Sequence, residues 1–169
     1  MKGLYGIILF VLLSAPSLFG QITSLNDGDW DDTGTWSCGC VPDPFGFQEV
    51  RISHNVTIDD DAEVNWVRVL NGGQLTVDAG VTVTFIEDFI NAPLYIESGG
   101  RVVNNGTLDL ITQVYITESP VYGVLENSSV VDAGEALLHF YAGSRYVHNT
   151  SSGGNIPPAI WNKTSTVEI

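Results

Sequence analysis

Three groups of residues have types and spacings that could do chemistry. The run Asp27-Gly28-Asp29-Trp30-Asp31-Asp32 sets carboxylates at alternate positions, where several oxygens can converge on one hard cation such as calcium. Asp27, Asp29 and Asp31 are the candidate ligands. The run departs from the EF-hand pattern, with Asp32 at the glycine position and Cys38 in place of the bidentate Glu, so a solvated acidic turn is the competing reading. Asp59-Asp60-Asp61 is a weaker version of the same feature, since Asp belongs at strand corners anyway. Cys38 and Cys40 flank Gly39. A bridge across so short a loop is geometrically awkward and adds little chain-entropy stabilisation, and the reading is either a local disulfide or pairing with cysteines beyond this sequence. His54, His139 and His148 lack zinc-ligand spacing and read as satisfied surface or corner residues.

The third group points to carbohydrate. A glycosidase needs two carboxyl groups roughly 5 to 10 Å apart, and Glu87, Asp88, Glu97 and Asp109 are available, though each is equally a solvent-facing strand residue. Tyr95, Tyr115, Tyr122 and Tyr141 could stack on sugars or pack at edges, and Thr76, Thr82, Thr84 and Thr107 could form an exposed threonine face or simply follow strand propensity. No G-x-S-x-G, H-E-x-x-H or phosphate-binding loop is present. No catalytic residue is therefore assigned, and calcium is the one cofactor considered.

The elements that must position these residues are strands. From Val64 to Leu110 apolar and polar residues alternate in short runs, such as Gln74-Leu75-Thr76-Val77 and Val81-Thr82-Val83-Thr84-Phe85, each broken by Gly, Asn or Asp. Further strands are expected at 50–52, 56–58, 64–70, 113–117, 122–126, 136–141, 145–148 and 159–161, with Pro120 at a corner or edge. Gly72-Gly73 recurs as Gly99-Gly100 and then, after twice that interval, as Gly153-Gly154. Val77-Asp78-Ala79-Gly80 recurs at the same doubled interval as Val131-Asp132-Ala133-Gly134. A repeat of about 27 residues points to a solenoid.

Met1-Lys2, the apolar run Leu4 to Leu13 and the exit Ser14 to Gly20 describe a secretory signal peptide over residues 1–20, too short in its apolar core to read first as a membrane span. No transmembrane segment is expected after its removal. The remaining residues hold 20 acidic and five basic side chains, a surface that repels phosphate backbones and anionic lipid and excludes nucleic acid as a partner. The same charge opposes a polyanionic substrate. Five N-x-[S/T] sequons, at Asn55, Asn105, Asn127, Asn149 and Asn162, coincide with turn residues.

The entry pattern carries a resemblance. Thr35-Trp36, Val41-Pro42, Val50-x-Ile52, His54, Val56-Thr57-Ile58-Asp59 and Gly72-Gly73 resemble, in order and over about residues 30–85, the entry of G8-type domains and of G8-like β-helix modules in secreted proteins of the Bacteroidetes. The chain departs from that pattern at Ser53, where the turn glycine is expected, at Gln48-Glu49, and at Cys38-Gly39-Cys40, which replaces a Gly-rich piece. These departures leave the fold reading intact and weaken any transfer of a site.

The expected architecture is all-β: a right-handed parallel β-helix, with an antiparallel β-sandwich as the alternative. Residues 21–48 form an N-terminal capping segment in which Trp30 and Trp36 cover the open end, and residues 49–169 form the β-helix domain. The sequence stops inside the strand-like Thr166 to Ile169, so the domain is expected to be incomplete at its C-terminus. The expected function is a non-catalytic, secreted or cell-surface structural or adhesion module. The alternative is a carbohydrate-binding or carbohydrate-cleaving β-helix domain, with carbohydrate or cell-surface components as partners.

Overall fold

The computed structural model describes residues 20–46, 48–86, 91–110, 118–133, 138–150 and 155–169. The entry segment supplies β1 (Gln21–Thr23), β2 (Gly28–Asp29) and a 3-10 turn, Thr33–Thr35. The coil then proceeds through β3 (Glu49–Ile52), β4 (Asn55–Ile58) and β5 (Ala62–Val64). Above it lie β6 (Trp66–Val69), β7 (Gln74–Val77) and β8 (Thr82–Phe85). The next level is β9 (Leu94–Ile96), β10 (Arg101–Asn104) and β11 (Thr107–Asp109), followed by β12 (Ser119–Val121), β13 (Val124–Asn127) and β14 (Val130–Asp132). Last come β15 (Leu138–Phe140), β16 (Arg145–His148), β17 (Ala159–Trp161) and β18 (Thr166–Glu168).

The chain is a parallel β-solenoid. The first sheet runs β1-β3-β6-β9-β12-β15-β17, the second β2-β4-β7-β10-β13-β16-β18, and the third β5-β8-β11-β14. Every strand pairs in parallel with its counterpart one turn away, which excludes the antiparallel sandwich. Period-two alternation sends every second side chain inward. In the first sheet Ile52, Val69, Ile96, Val121, Phe140 and Trp161 form one such row. Nearly all of this row is buried, and each such side chain contributes about 1.5–3 kcal/mol.

One inward row changes character along the stack. In the second sheet Ile58 and Val77 give way to Asn104, Asn127 and His148, and all three polar residues are buried. Asn104 Nδ2 donates to Asn127 Oδ1 at 2.8 Å and to the Val130 carbonyl at 2.7 Å. Asn127 Nδ2 donates to the Ser129 carbonyl and to the Tyr146 hydroxyl, both at 3.2 Å, and Tyr146 in turn meets His148 Nδ1 at 3.1 Å. The members of this chain supply most of one another's partners, with Asn104 Oδ1 buried and left without one among the described residues.

The capping segment joins the stack rather than merely covering it. β1 lies on β3 and β2 on β4, strands that the Asp/Gly-rich sequence does not announce. Trp30 and Trp36 are buried, edge to face at 5.0 Å, and Trp36 Nε1 donates to the Trp30 carbonyl at 2.7 Å.

Three expectations are corrected. The run 64–70 is not one strand: it breaks at Asn65, whose Nδ2 donates to the Pro44 carbonyl, so Val64 ends β5 and Trp66 begins β6. Pro120 sits inside β12, between β9 and β15, rather than at a corner. The strand accepts it because the Tyr122 N–H, two positions on and on the same side, donates to the Ile96 carbonyl of the β9 turn. Pro120 therefore faces β9 with no N–H to give, and pairing there shrinks to Val121 on Ile96 while all three residues of the strand pair with β15. Finally, the repeat is not constant. The step from Gln74 to its partner Arg101 matches the expected interval, but the step from Glu49 to its partner Trp66 is much shorter. Val77 stacks on Asn104 in the second sheet and Val131 on Leu108 in the third, so the recurring Val-Asp-Ala-Gly is not one structural position.

Candidate functional site

The densest chemistry lies on the outward face of the first sheet. There the strand pairing sets Arg51 beside Arg68, Arg68 beside Tyr95, and Pro120 beside His139. At its lower end Glu49 is buried between two guanidinium groups, with Arg68 Nε at 2.7 Å and Arg51 Nε at 3.1 Å. Arg68 reaches on to Glu97 Oε1 at 3.1 Å and lies over the Tyr95 ring, 4.2 Å from its centroid, a cation–π geometry. Tyr95 stacks with Tyr122 at 5.6 Å, Tyr122 with Tyr141 at 4.4 Å, and Tyr141 with His139 at 4.0 Å. Glu118 Oε2 closes the upper end, 3.3 Å from His139 Nδ1 and 3.2 Å from the Tyr141 hydroxyl that donates to it.

This geometry fixes what the face presents. Successive rungs about 4.8 Å apart bring rings on neighbouring turns into stacking distance. Ring faces are thereby turned toward one another. Burial, then the neighbouring Tyr122, pushes the Tyr95 phenol up, and burial with the charge of Glu118 does the same for Tyr141, so both remain protonated donors at neutral pH. Removing the Glu49 charge would leave Arg51 and Arg68 facing each other. Glu49→Gln is expected to lower stability by about 2 kcal/mol, below the full cost of breaking a buried pair because both arginines are partly exposed; chemical denaturation checks it, and an unchanged midpoint would contradict it.

Of the three residues expected to bind calcium, Asp27 is engaged with the next turn. Asp27 accepts the Asn55 backbone N–H at 2.8 Å and its Nδ2 at 3.1 Å, tying the entry segment to the start of β4. Asp32 caps the 3-10 turn through the Gly34 N–H at 2.8 Å. Among the described residues no group of three His, Cys, Asp or Glu side chains is gathered closely enough to hold a metal ion. The Asn55 backbone bond, helped by its side chain, holds the Asp27 carboxyl below its ordinary 3.8. A depressed folded-state value means this tie is intact above the ordinary value and is lost as pH falls through the folded one. The Asn55 amide resonance is therefore expected to titrate with a midpoint below pH 3.8; a midpoint at or above that value would sink the assignment.

Cys38 and Cys40 are disulfide-bonded with Cα atoms 5.1 Å apart, and Gly39 between them takes the left-handed φ of 63°. The threonines divide: Thr82 and Thr107 pair directly and Thr84 shares their face of the third sheet, whereas Thr76 pairs with Thr57 in the second. Asp109 lies on the third sheet and Glu97 beside the tyrosines, so these two candidate acids are on different faces. Glu87, Asp88 and the expected strand 113–117 with Tyr115 lie outside the described residues, as do residues 1–19 of the signal segment and Gly153-Gly154. His54 is a corner residue, its Nδ1 2.9 Å from the Ser24 carbonyl. The sequence does not single out Glu118, nor does it bring Glu49, Arg51 and Arg68 together; the three are joined only by the strand register. Those three alternate with the apolar residues of β3 and β6, and that outward position was their only signal.

Family models, curated proteins and solved structures were all compared with the chain. None matches it.

Proposed function

We propose that this chain is a non-catalytic extracellular structural module, a rigid solenoid segment of a secreted or surface protein that spaces or presents an adhesive region. The observation that supports this most is the outward face of the first sheet, where Glu49, Arg51, Arg68, Tyr95, Tyr122, Tyr141, His139 and Glu118 are engaged with one another across turns. Side chains so occupied stiffen the stack instead of waiting for a substrate. Secretion rests on the Met1 to Gly20 pattern, and membership of the G8-like modules on the entry residues Thr35-Trp36 through Gly72-Gly73.

A carbohydrate-binding or carbohydrate-cleaving role is the second reading, favoured by Glu97 and Glu118 standing beside the three tyrosines. It must work without free ring faces, since those of Tyr122 are covered on both sides. A glycan array on the full-length chain, combined with analysis for released sugars, separates the two. The module reading predicts neither binding nor release. Saccharide binding that Tyr122→Ala abolishes, or release that Glu118→Gln abolishes, would overturn it.

A further inference from the structure

Charge is divided unequally over the three sheets. All four arginines lie on the first two, Arg51 in β3, Arg68 in β6, Arg101 in β10 and Arg145 in β16, and Lys163 sits in the turn between β17 and β18. The Arg101–Glu126 and Arg145–Glu168 ion pairs lie on those sheets as well. The strands of the third sheet hold no basic residue. Their outward row reads Glu63, Thr84, Asp109, Asp132 from β5 to β14.

At the start of that sheet, where the entry segment meets the corner between β4 and β5, the surface opens into a cleft of about 320 Å³. Its lining includes the apolar Trp30, Val41, Pro42 and Ile58, of which Trp30 and Ile58 belong to the core and cannot retreat. Pro44, Ala62 and five acids, Asp31, Asp59, Asp60, Asp61 and Glu63, complete it. Asp61 accepts the Thr82 N–H at 2.7 Å, and none of the five forms an ion pair with a basic side chain among the described residues. A second hollow of about 470 Å³ shares Asp61, Ala62 and Glu63 and continues the groove to Thr82 and Thr84.

We propose that this groove docks a basic, extended segment of a partner protein. An apolar floor walled by uncompensated carboxylates matches a Lys or Arg side chain, which lays its aliphatic stem on apolar surface and keeps its charged head among acids. The groove runs past one cleft into a second, so it accommodates several residues of chain where a single amine would fill only one end. The cation-free third sheet extends the attracting field beyond the groove and steers such a segment toward it. This inference does not depend on the spacer reading, and its failure would leave the glycan-array test untouched.

The test is fluorescence anisotropy of a labelled Lys-Leu-Lys-Pro-Lys-Leu-Lys peptide titrated with the full-length chain. Binding is expected, weakened about tenfold or more by Asp60→Asn/Glu63→Gln and by less than about twofold by Glu118→Gln/Glu168→Gln, which removes equal charge from the other two sheets. Val41→Ser, which leaves every charge in place, is expected to weaken it severalfold. All exchanged residues are exposed, and unchanged circular dichroism verifies folding. No binding by the parent chain, equal losses in the two charge variants, no loss in Val41→Ser, or full displacement of the peptide by spermidine at matched charge would each overturn the proposal.

Discussion

Gly123→Val is expected to abolish cooperative folding. Gly123 follows β12 at the corner between the first and second sheets, where the turn below passes directly beneath it. A Cβ there would come well inside 3.0 Å of both the Gly100 and the Glu97 carbonyl oxygens. Neither is a side chain that can swing away. Both belong to backbone held in register by the Tyr122 N–H to Ile96 and the Val124 N–H to Gly100 bonds, so the clash can be relieved only by parting the turns. A loss of more than about 4 kcal/mol is expected, beyond the usual overpacking range. Gly143→Ala is the contrast. Its φ of 81° strains any side chain, but nothing lies within 4 Å of the added carbon, so about 1–2 kcal/mol is expected. Urea unfolding of both variants decides the matter, and a Gly123→Val chain within about 1 kcal/mol of the parent would show that the corner is not packed as described.

The second large effect is at the capped end. Trp36→Ala removes a side chain that is 1% exposed, packs edge to face on Trp30 and closes the entry segment on itself through the Trp30 carbonyl. Emptying such a site costs about 3–5 kcal/mol. It also uncovers the first turn of a solenoid, whose edge is then open to pairing with another chain. Thermal unfolding is expected to shift down strongly, with aggregation on heating. Phe45→Ala, which removes a ring that is 71% exposed, should stay within about 0.5 kcal/mol of the parent; equal losses from both would remove the special role of Trp36.

The solenoid was legible because its grammar is local. Alternation in stretches such as Gln74 to Val77 and Val81 to Phe85 gives the inward and outward faces, and Gly72-Gly73 and Gly99-Gly100 mark one corner on two turns. Turn length was not legible. Corners absorb different numbers of residues, so the interval between the paired glycines is one crossing among several and the recurring Val-Asp-Ala-Gly falls on two different sheets. β12 was hidden by Pro120, which is tolerated in a sheet interior because pairing toward β9 shrinks to Val121 on Ile96.

The surface was less legible still. Tyr95, Tyr122 and Tyr141 could be nominated by residue type, but only register places them in one stack, with Glu118 joining from the turn of Tyr122 and His139 from the turn of Tyr141. Asp27 shows the converse. A carboxylate in an acidic run suggests a cation, yet the nearest claim on its oxygens is the backbone of Asn55 on the next turn, and no local pattern carries that contact.

On the proposed reading the tyrosine stack ties turns together and is not a recognition surface. Urea unfolding of Tyr122→Ala tests this most directly, because that ring lies between Tyr95 at 5.6 Å and Tyr141 at 4.4 Å. Losing two ring pairs is expected to lower the unfolding free energy by about 1–3 kcal/mol. A variant as stable as the parent to within about 0.5 kcal/mol would mean that the rings do not hold the turns, and would contradict the structural reading of this face.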